Sequence, residues 1–374
     1  MISSLSSANQ PPSKTTNLSY FWQKKTILSF LLVILVIIIH NSTIFQYDIP
    51  ASPLTTFTIF IHNFFAYGLG SIAVPFFFLV SGIAFFRNYT TKSYHHKLRS
   101  RIKSLLVPYL FWNLIGLLFA IIYTYTPISS YISGRELFTP SLENVFEGIF
   151  LHKYNFQFWF IYDLMFYVLI TPIIHLIIKH KQIGLIFCIF SLFLPLFTES
   201  FLNINTLFTV FYLIGAYIGK HHLSAFTKPT QKTTIIISTI SALFILLIKM
   251  LSIYNIASLH STISQVITII LLFNIWHISD YIIPKIKHTP QIMHEFFPLY
   301  TLHTYFLAII IKLIFIILPQ NAISLFINEL TSTTITTLAV SYLASMWHKK
   351  LPKSYNFAFG NRKNTSNQKT INRH

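Results

Sequence analysis

The sequence predicts an all-α polytopic integral membrane protein with about ten transmembrane helices and both termini cytoplasmic. Three observations predict it. First, 53% of the 374 residues are hydrophobic and only 10% charged, with a mean hydropathy of +0.61, more apolar surface than a soluble chain of this length could keep from water. Second, the apolar residues gather in runs that, at ~1.5 Å rise per residue, are long enough to cross a hydrocarbon layer ~30 Å thick. Third, the cations alternate from loop to loop.

Residues 1–23 are rich in Ser, Thr, Asn, Gln and Pro and read as a disordered cytoplasmic tail. Lys24 and Lys25 then precede TILSFLLVILVIIIHNSTIF, which gives a first helix over 26–46. A signal peptide shares the Lys pair and apolar core, but no small-residue cleavage site follows closely. Later crossings are expected at 64–86, 104–125, 157–178, 183–199, 205–219, 233–253, 262–282, 297–317 and 323–346. The fifth and sixth are short, so nine or eleven helices are the alternatives. Residues 24–348 thus form one membrane domain, and 349–374 a basic cytoplasmic tail.

Charge placement tests this order independently of hydropathy. With the N-terminus inside, 23 of the 27 Lys and Arg fall in cytoplasmic segments, six of them between Arg87 and Lys103. Outer segments hold only Arg135, Lys153 and Lys249, and Lys312 falls within a helix. The net charge of +18 is therefore a signal of topology and of an anionic lipid surface. Nucleic-acid binding would need that charge on one soluble face, and no segment forms one. The single cysteine, Cys188, lies inside an apolar run and implies no disulfide framework. No Gly-rich phosphate loop, HExxH pair or Gly-x-Ser-x-Gly elbow is present, and no metal site is expected.

Polar residues inside membrane helices cost a few kcal/mol unless they face the protein interior, so each is a candidate for function. They are His40, Asp163, His175, Lys249, His277, His303 and Lys312. His175, Lys249 and His277 lie near helix ends, where snorkelling accounts for them. His40 and Asp163 each lie about six residues from the outer end of a helix, so both sit ~9 Å below the outer surface. Asp163 could orient the His40 imidazole and stabilise its protonated form, the arrangement of a general base toward a hydroxyl. Two unrelated polar residues lining a hydrated cavity would look the same. His303 enters from the cytoplasmic side, and that position suits a cytoplasmic ligand better than contact with His40. Arg99, Arg101 and Lys103 read first as a positive-inside loop, with a cationic mouth as the alternative.

Six stretches carry a family resemblance: LLVILVIIIH ending at His40, VPFFFLVSGIAFF over 74–86, SRIKSLLVPYLFW over 100–112, QFWFIYDLMFYVLITPII over 157–174, FYLIGAYIGK over 211–220 and FPLYTLHTYFL over 297–307. In this order they resemble the membrane acyltransferase 3 family, and most of all its bacterial surface-polysaccharide and enterobacterial-antigen O-acetyltransferases. The resemblance implies a multi-pass protein of the bacterial inner membrane. It implies an acyl-coenzyme A donor, usually acetyl-CoA, entering from the cytoplasm, and a glycan hydroxyl as acceptor near the outer face. It also implies that His40 matches the essential histidine of the first helix, and Arg101 a basic position that contacts coenzyme A phosphates with Arg99, Lys103 and His303 nearby. Three positions depart from the family pattern. Ser29 stands where an arginine is usual, Ser104 replaces a second basic residue after Arg101, and Gln157 replaces a histidine.

Two function classes follow. One is an O-acyltransferase in which His40 deprotonates a glycan hydroxyl that attacks the acyl thioester. The other is a transporter or exporter of a polysaccharide or lipid-linked glycan, with the same polar residues serving as a path. A deep histidine paired with a phosphate mouth favours chemistry, whereas inverted repeats, which would favour transport, are not evident.

Overall fold

The structure is a computed structural model that describes residues 14–41, 49–127, 136–198, 200–201, 204–255 and 261–360. The expected outer end of the first crossing, Arg135, Tyr131, residues 1–13 of the N-terminal tail and residues 361–374 of the C-terminal tail lie outside the described residues.

Each of the ten expected crossings overlaps a helix, but among the described residues seven helices are long and apolar enough to span a membrane on their own, or eight if one bent pair counts as a single span. These are α1 (Lys14–Ile39), α2 (Pro53–Phe86), α3 (Thr91–Thr124), α9 (Lys232–Ile253), α10 (Thr262–Lys285), α11 (Gln291–Ile317) and α12 (Ala322–Lys350). The other three crossings are shorter or broken. α5 (Phe156–Leu169) and α6 (Thr171–Ile178) are bent by 63°. Pro172 opens α6, and a proline there removes an N–H and crowds the preceding turn, which breaks the helix. α7 (Lys181–Leu196) ends in a 3₁₀ turn, and α8 (Thr209–His221) has only 13 residues. One two-stranded hairpin, β1 (Ser200–Phe201) with β2 (Ile204–Asn205), links α7 to α8.

Three boundaries differ from expectation. The N-terminal segment is helical from Lys14, so Lys24 and Lys25 lie within α1 rather than ahead of it. Lys24 is fully buried, its Nζ 2.5 Å from Asp280 Oδ1 and 4.2 Å from the Trp276 ring. α2 begins eleven residues before the expected 64, because Ser52 accepts a hydrogen bond from the Thr55 N–H and Pro53 occupies the first turn. The C-terminal tail is not wholly free of structure. α13 (Pro352–Phe359) packs on α3, with the Trp112 indole donating to the Ala358 carbonyl at 2.8 Å. Gly360 then turns at φ +76°, where a Cβ would lie 2.7 Å from the Ser104 backbone. A short helix, α4 (Leu142–Phe150), also occupies the expected outer loop.

The core is built on α1, α2 and α8. α2 and α8 approach closely because Gly82, Gly215 and Gly219 leave no side chain between them: a Cβ on Gly215 would sit 2.1 Å from the Leu79 carbonyl oxygen. Gly215 and Gly219 are four apart, the small-residue spacing that lets membrane helices pack backbone to backbone. Lys249 does not snorkel as expected; it is buried and donates to Thr268 Oγ1 at 3.0 Å. Between α4 and α5, His152 turns inward at φ +50° to lie 3.2 Å from the Tyr109 hydroxyl. Burial pulls its imidazole down to about 4, so it stays neutral near pH 7.

Candidate functional site

A cavity of about 380 Å³ opens at the cation-rich end of the helices. α1 contributes Lys25, the turn after α2 contributes Arg87, and α3 contributes Arg101. α11 supplies His294 and Glu295, α12 His348, and α13 Tyr355 and Phe359. The cations are spaced by aromatic contacts: Arg87 lies over Trp22 at 4.7 Å, Arg101 over Phe85 at 5.7 Å and Lys25 over Phe296 at 4.0 Å. Glu295 is buried beneath them and accepts from the Tyr355 hydroxyl, with His348 Nδ1 at 3.5 Å.

A narrower space of about 90 Å³ shares Lys25, Ser81, Arg101 and Leu164 with this cavity. Its other lining residues are apolar, Val33, Phe77, Phe160 and Ile161, together with Tyr300. From Tyr300 the chain leads directly to the histidines. His303 Nδ1 lies 2.6 Å from the Tyr300 carbonyl. A carbonyl only accepts, so Nδ1 carries the proton and Nε2 is left with its lone pair. Nε2 is buried and has no hydrogen-bond partner. The His40 ring lies 5.2 Å from the His303 ring, centroid to centroid, and 5.2 Å from Phe156. α5 is tied to α11 around this pair: Gln157 Nε2 reaches the Thr301 carbonyl at 3.5 Å, and the Tyr300 hydroxyl donates to the Gln157 carbonyl.

The structure thus regroups the candidates. His303 stands beside His40, against the expectation that it would serve a cytoplasmic ligand apart from it. Asp163 does not orient His40: its Oδ2 accepts from the Asn205 N–H at 3.2 Å, and no hydrogen bond or ion pair joins it to His40. The reason is register, since equal depth on two helices does not fix which faces meet. Arg101 lines both spaces, whereas Arg99 and Lys103 are exposed and line neither. The three departures from the family pattern are all buried or cavity-lining. Ser29 is fully buried one turn from Lys25, Ser104 lines the larger cavity beside Gly360, and Gln157 is buried next to the histidine pair. Sequence reasoning did not single out Lys25, Glu295, His348 and Tyr355. Lys25 carried a signal, because it lies four residues before Ser29 and so on the same helix face. Among the described residues, no three His, Cys, Asp or Glu side chains gather in a way that could hold a metal ion.

Compared with known families, residues 27–346 match the model described as an acyltransferase domain. No curated protein and no solved structure matches the chain.

Proposed function

Because the chain belongs to the membrane acyltransferase 3 family, an acyltransferase family in a multi-pass membrane setting, we propose that it moves an acetyl group from acetyl-coenzyme A to a hydroxyl of a surface glycan. One observation carries this reading: the cationic cavity adjoins a narrower, largely apolar space lined by Tyr300, whose carbonyl anchors His303 beside His40. A coenzyme A thioester has that order of chemistry. Its phosphates suit Lys25, Arg87 and Arg101, its less polar arm suits the narrower space, and its thioester then reaches the imidazoles. In this reading the membrane is a bacterial inner membrane and, by the excess of cations in cytoplasmic segments, the cavity faces the cytoplasm.

In the proposed reaction the acceptor hydroxyl attacks the thioester carbonyl while His40 takes its proton. The carbonyl oxygen holds the negative charge of the tetrahedral intermediate, the C–S bond breaks, and the imidazolium returns the proton to the departing sulfur. Ester and free coenzyme A thiol are the products, and no net proton is released. His303, with Nδ1 anchored on the Tyr300 carbonyl, holds the neighbouring imidazole in place and offers Nε2 as a second acceptor.

The test uses membranes carrying the wild type or His40→Ala and radiolabelled acetyl-coenzyme A, with label counted in total surface glycan. Removal of a general base costs ~10²- to 10⁴-fold in rate, so label should fall by about that factor while the protein remains inserted. Undiminished transfer in the mutant would remove His40 from the chemistry. Absence of transfer in the wild type, with several acyl donors tried, would favour the transport reading.

A further inference from the structure

The chain that follows α3 runs back along it. At the end of α3 remote from Arg101, the Phe138 N–H donates to Thr124 Oγ1 at 2.9 Å and the Tyr123 hydroxyl donates to the Glu136 carbonyl. Val145 of α4 then packs on the cluster of Leu117, Ala120 and Tyr123. Gly148 faces Leu117, whose Cδ1 would lie 3.2 Å from a Cβ placed there. Asn113 Nδ2 donates to the Ile149 carbonyl at 3.1 Å, and the Tyr109 hydroxyl to the Phe150 carbonyl at 2.7 Å. From Thr124 to Tyr109 this descent covers ~22 Å of helical rise, most of a hydrocarbon layer ~30 Å thick. The chain turns at His152 and comes back only as far as Asn155, which donates to the Trp112 carbonyl at 2.6 Å. Gly116 makes the room, since a Cβ there would lie 2.1 Å from the Asn155 amide. α5 therefore opens partway along α3, and its Phe156 meets the His40 ring at that depth.

A helix that ends away from water must find protein donors for its last carbonyls. Asn113 and Tyr109, both buried, supply them to Ile149 and Phe150. The opposite requirement holds for side chains. Leu142, Phe146 and Phe150 recur every fourth residue, so they form one stripe; they are 91, 56 and 45% exposed. On α3 beside them, Leu114, Leu118 and Ile122 are exposed at the same spacing. The charges of the segment are drawn together toward the Thr124 end. Lys153 Nζ lies 2.7 Å from Glu147 and 3.3 Å from Glu136, the residue whose carbonyl is tied to Tyr123. Glu143 stands in the first turn of α4, where a helix N-terminus favours a carboxylate.

We propose that residues 136–155 form a re-entrant segment, which enters the bilayer from the face opposite the cationic cavity, turns inside it and presents Leu142, Phe146 and Phe150 to lipid acyl chains. Depth and continuity select this partner. The segment lies alongside the apolar, membrane-crossing part of α3, whose own exposed side chains are apolar, so the stripe extends a surface that already meets hydrocarbon. Irregular backbone is tolerated there because protein groups satisfy it. The turn also takes the place of the upper part of α5, which brings the start of that helix to the depth of His40. This placement holds whatever chemistry His40 performs.

Cys188 is the chain's one cysteine, so a Cys188→Ala background is free of thiols. In it, a nitroxide is attached to single cysteines of the full chain, reconstituted in vesicles of phosphatidylcholine and phosphatidylglycerol. Its relaxation is read with oxygen, which dissolves in hydrocarbon, and with a neutral nickel chelate, which stays in water. All the labelled side chains are exposed, so the fold tolerates them. Phe146→Cys and Phe150→Cys should respond to oxygen and not to the chelate, as Leu118→Cys on α3 should. Response to the chelate should fall from Leu142→Cys to Phe150→Cys, and Lys92→Cys, in the exposed basic turn, should show the full aqueous response. Phe146→Cys and Phe150→Cys that respond to the chelate as Lys92→Cys does would place α4 in water and overturn the proposal. Labels shielded from both probes, or broadened by a label on a second copy, would mean that protein covers the stripe and would overturn it equally.

Discussion

Lys24 and Lys25 are adjacent in sequence and opposite in role. Neighbouring helix positions point ~100° apart, so one faces Asp280 in the interior and the other faces the cationic cavity. Removing one member of a buried ion pair strands the other charge and costs ~3 to 5 kcal/mol. Lys24→Met should therefore lower the thermal stability of the solubilised protein strongly, and Lys24→Met with Asp280→Leu should recover most of the loss; equal stability of the single mutant and wild type would show that the pair is not formed. Lys25→Ala should act on binding instead. A hydrogen bond to a charged group is worth ~1.5 to 3 kcal/mol, and tenfold in affinity is ~1.4 kcal/mol. Coenzyme A should thus bind about 10-fold more weakly, with Lys25→Arg close to wild type in the same titration. Lys25 lies one turn from Ser29, the buried position at which the family usually has an arginine.

At the scale of the element, hydropathy found the long helices, including α12 with its mostly polar buried face, and missed the first stretch of α2. α8 was legible despite its 13 residues because Phe211, Leu213, Ala216 and Ile218 are buried among apolar neighbours. The first eleven residues of α2 read as loop because their Thr, His and Asn face inward, although the Ser52-Pro53 cap was a usable signal. The contact between α2 and α8 is equally invisible to hydropathy, since it depends on the absence of side chains. Gly215→Leu would drive a side chain into the Leu79 backbone, 2.1 Å from where its Cβ must sit. The predicted result is loss of the monodisperse, folded protein on gel filtration in detergent, whereas Ile214→Leu next to it should run as wild type.

Over the whole molecule, a cationic cavity at one end of the helices shares Lys25 and Arg101 with an apolar space that reaches Tyr300, one turn from the imidazole pair of His303 and His40. Composition and loop charges supported the membrane class and the cationic end. They could not supply the pairing of His40 with His303, because helix packing, not depth along each helix, decides which side chains touch. The same limit hid α13, whose basic surroundings read as a solvated tail. Its place is structural: Tyr355 and Phe359 wall the cationic cavity, Tyr355 holds Glu295, and Ala358 is tied to Trp112. Ending the chain after Leu351 would remove that wall and release Glu295 from Tyr355 among the cavity's cations. Coenzyme A affinity of the detergent-solubilised protein should then fall at least 10-fold. Tyr355→Phe, which keeps the ring and loses the hydroxyl bond to Glu295, should give a smaller loss, and Phe359→Ala one between the two. If all three titrate as wild type, α13 is no part of the proposed donor site, and Lys25, Arg87 and Arg101 suffice for it.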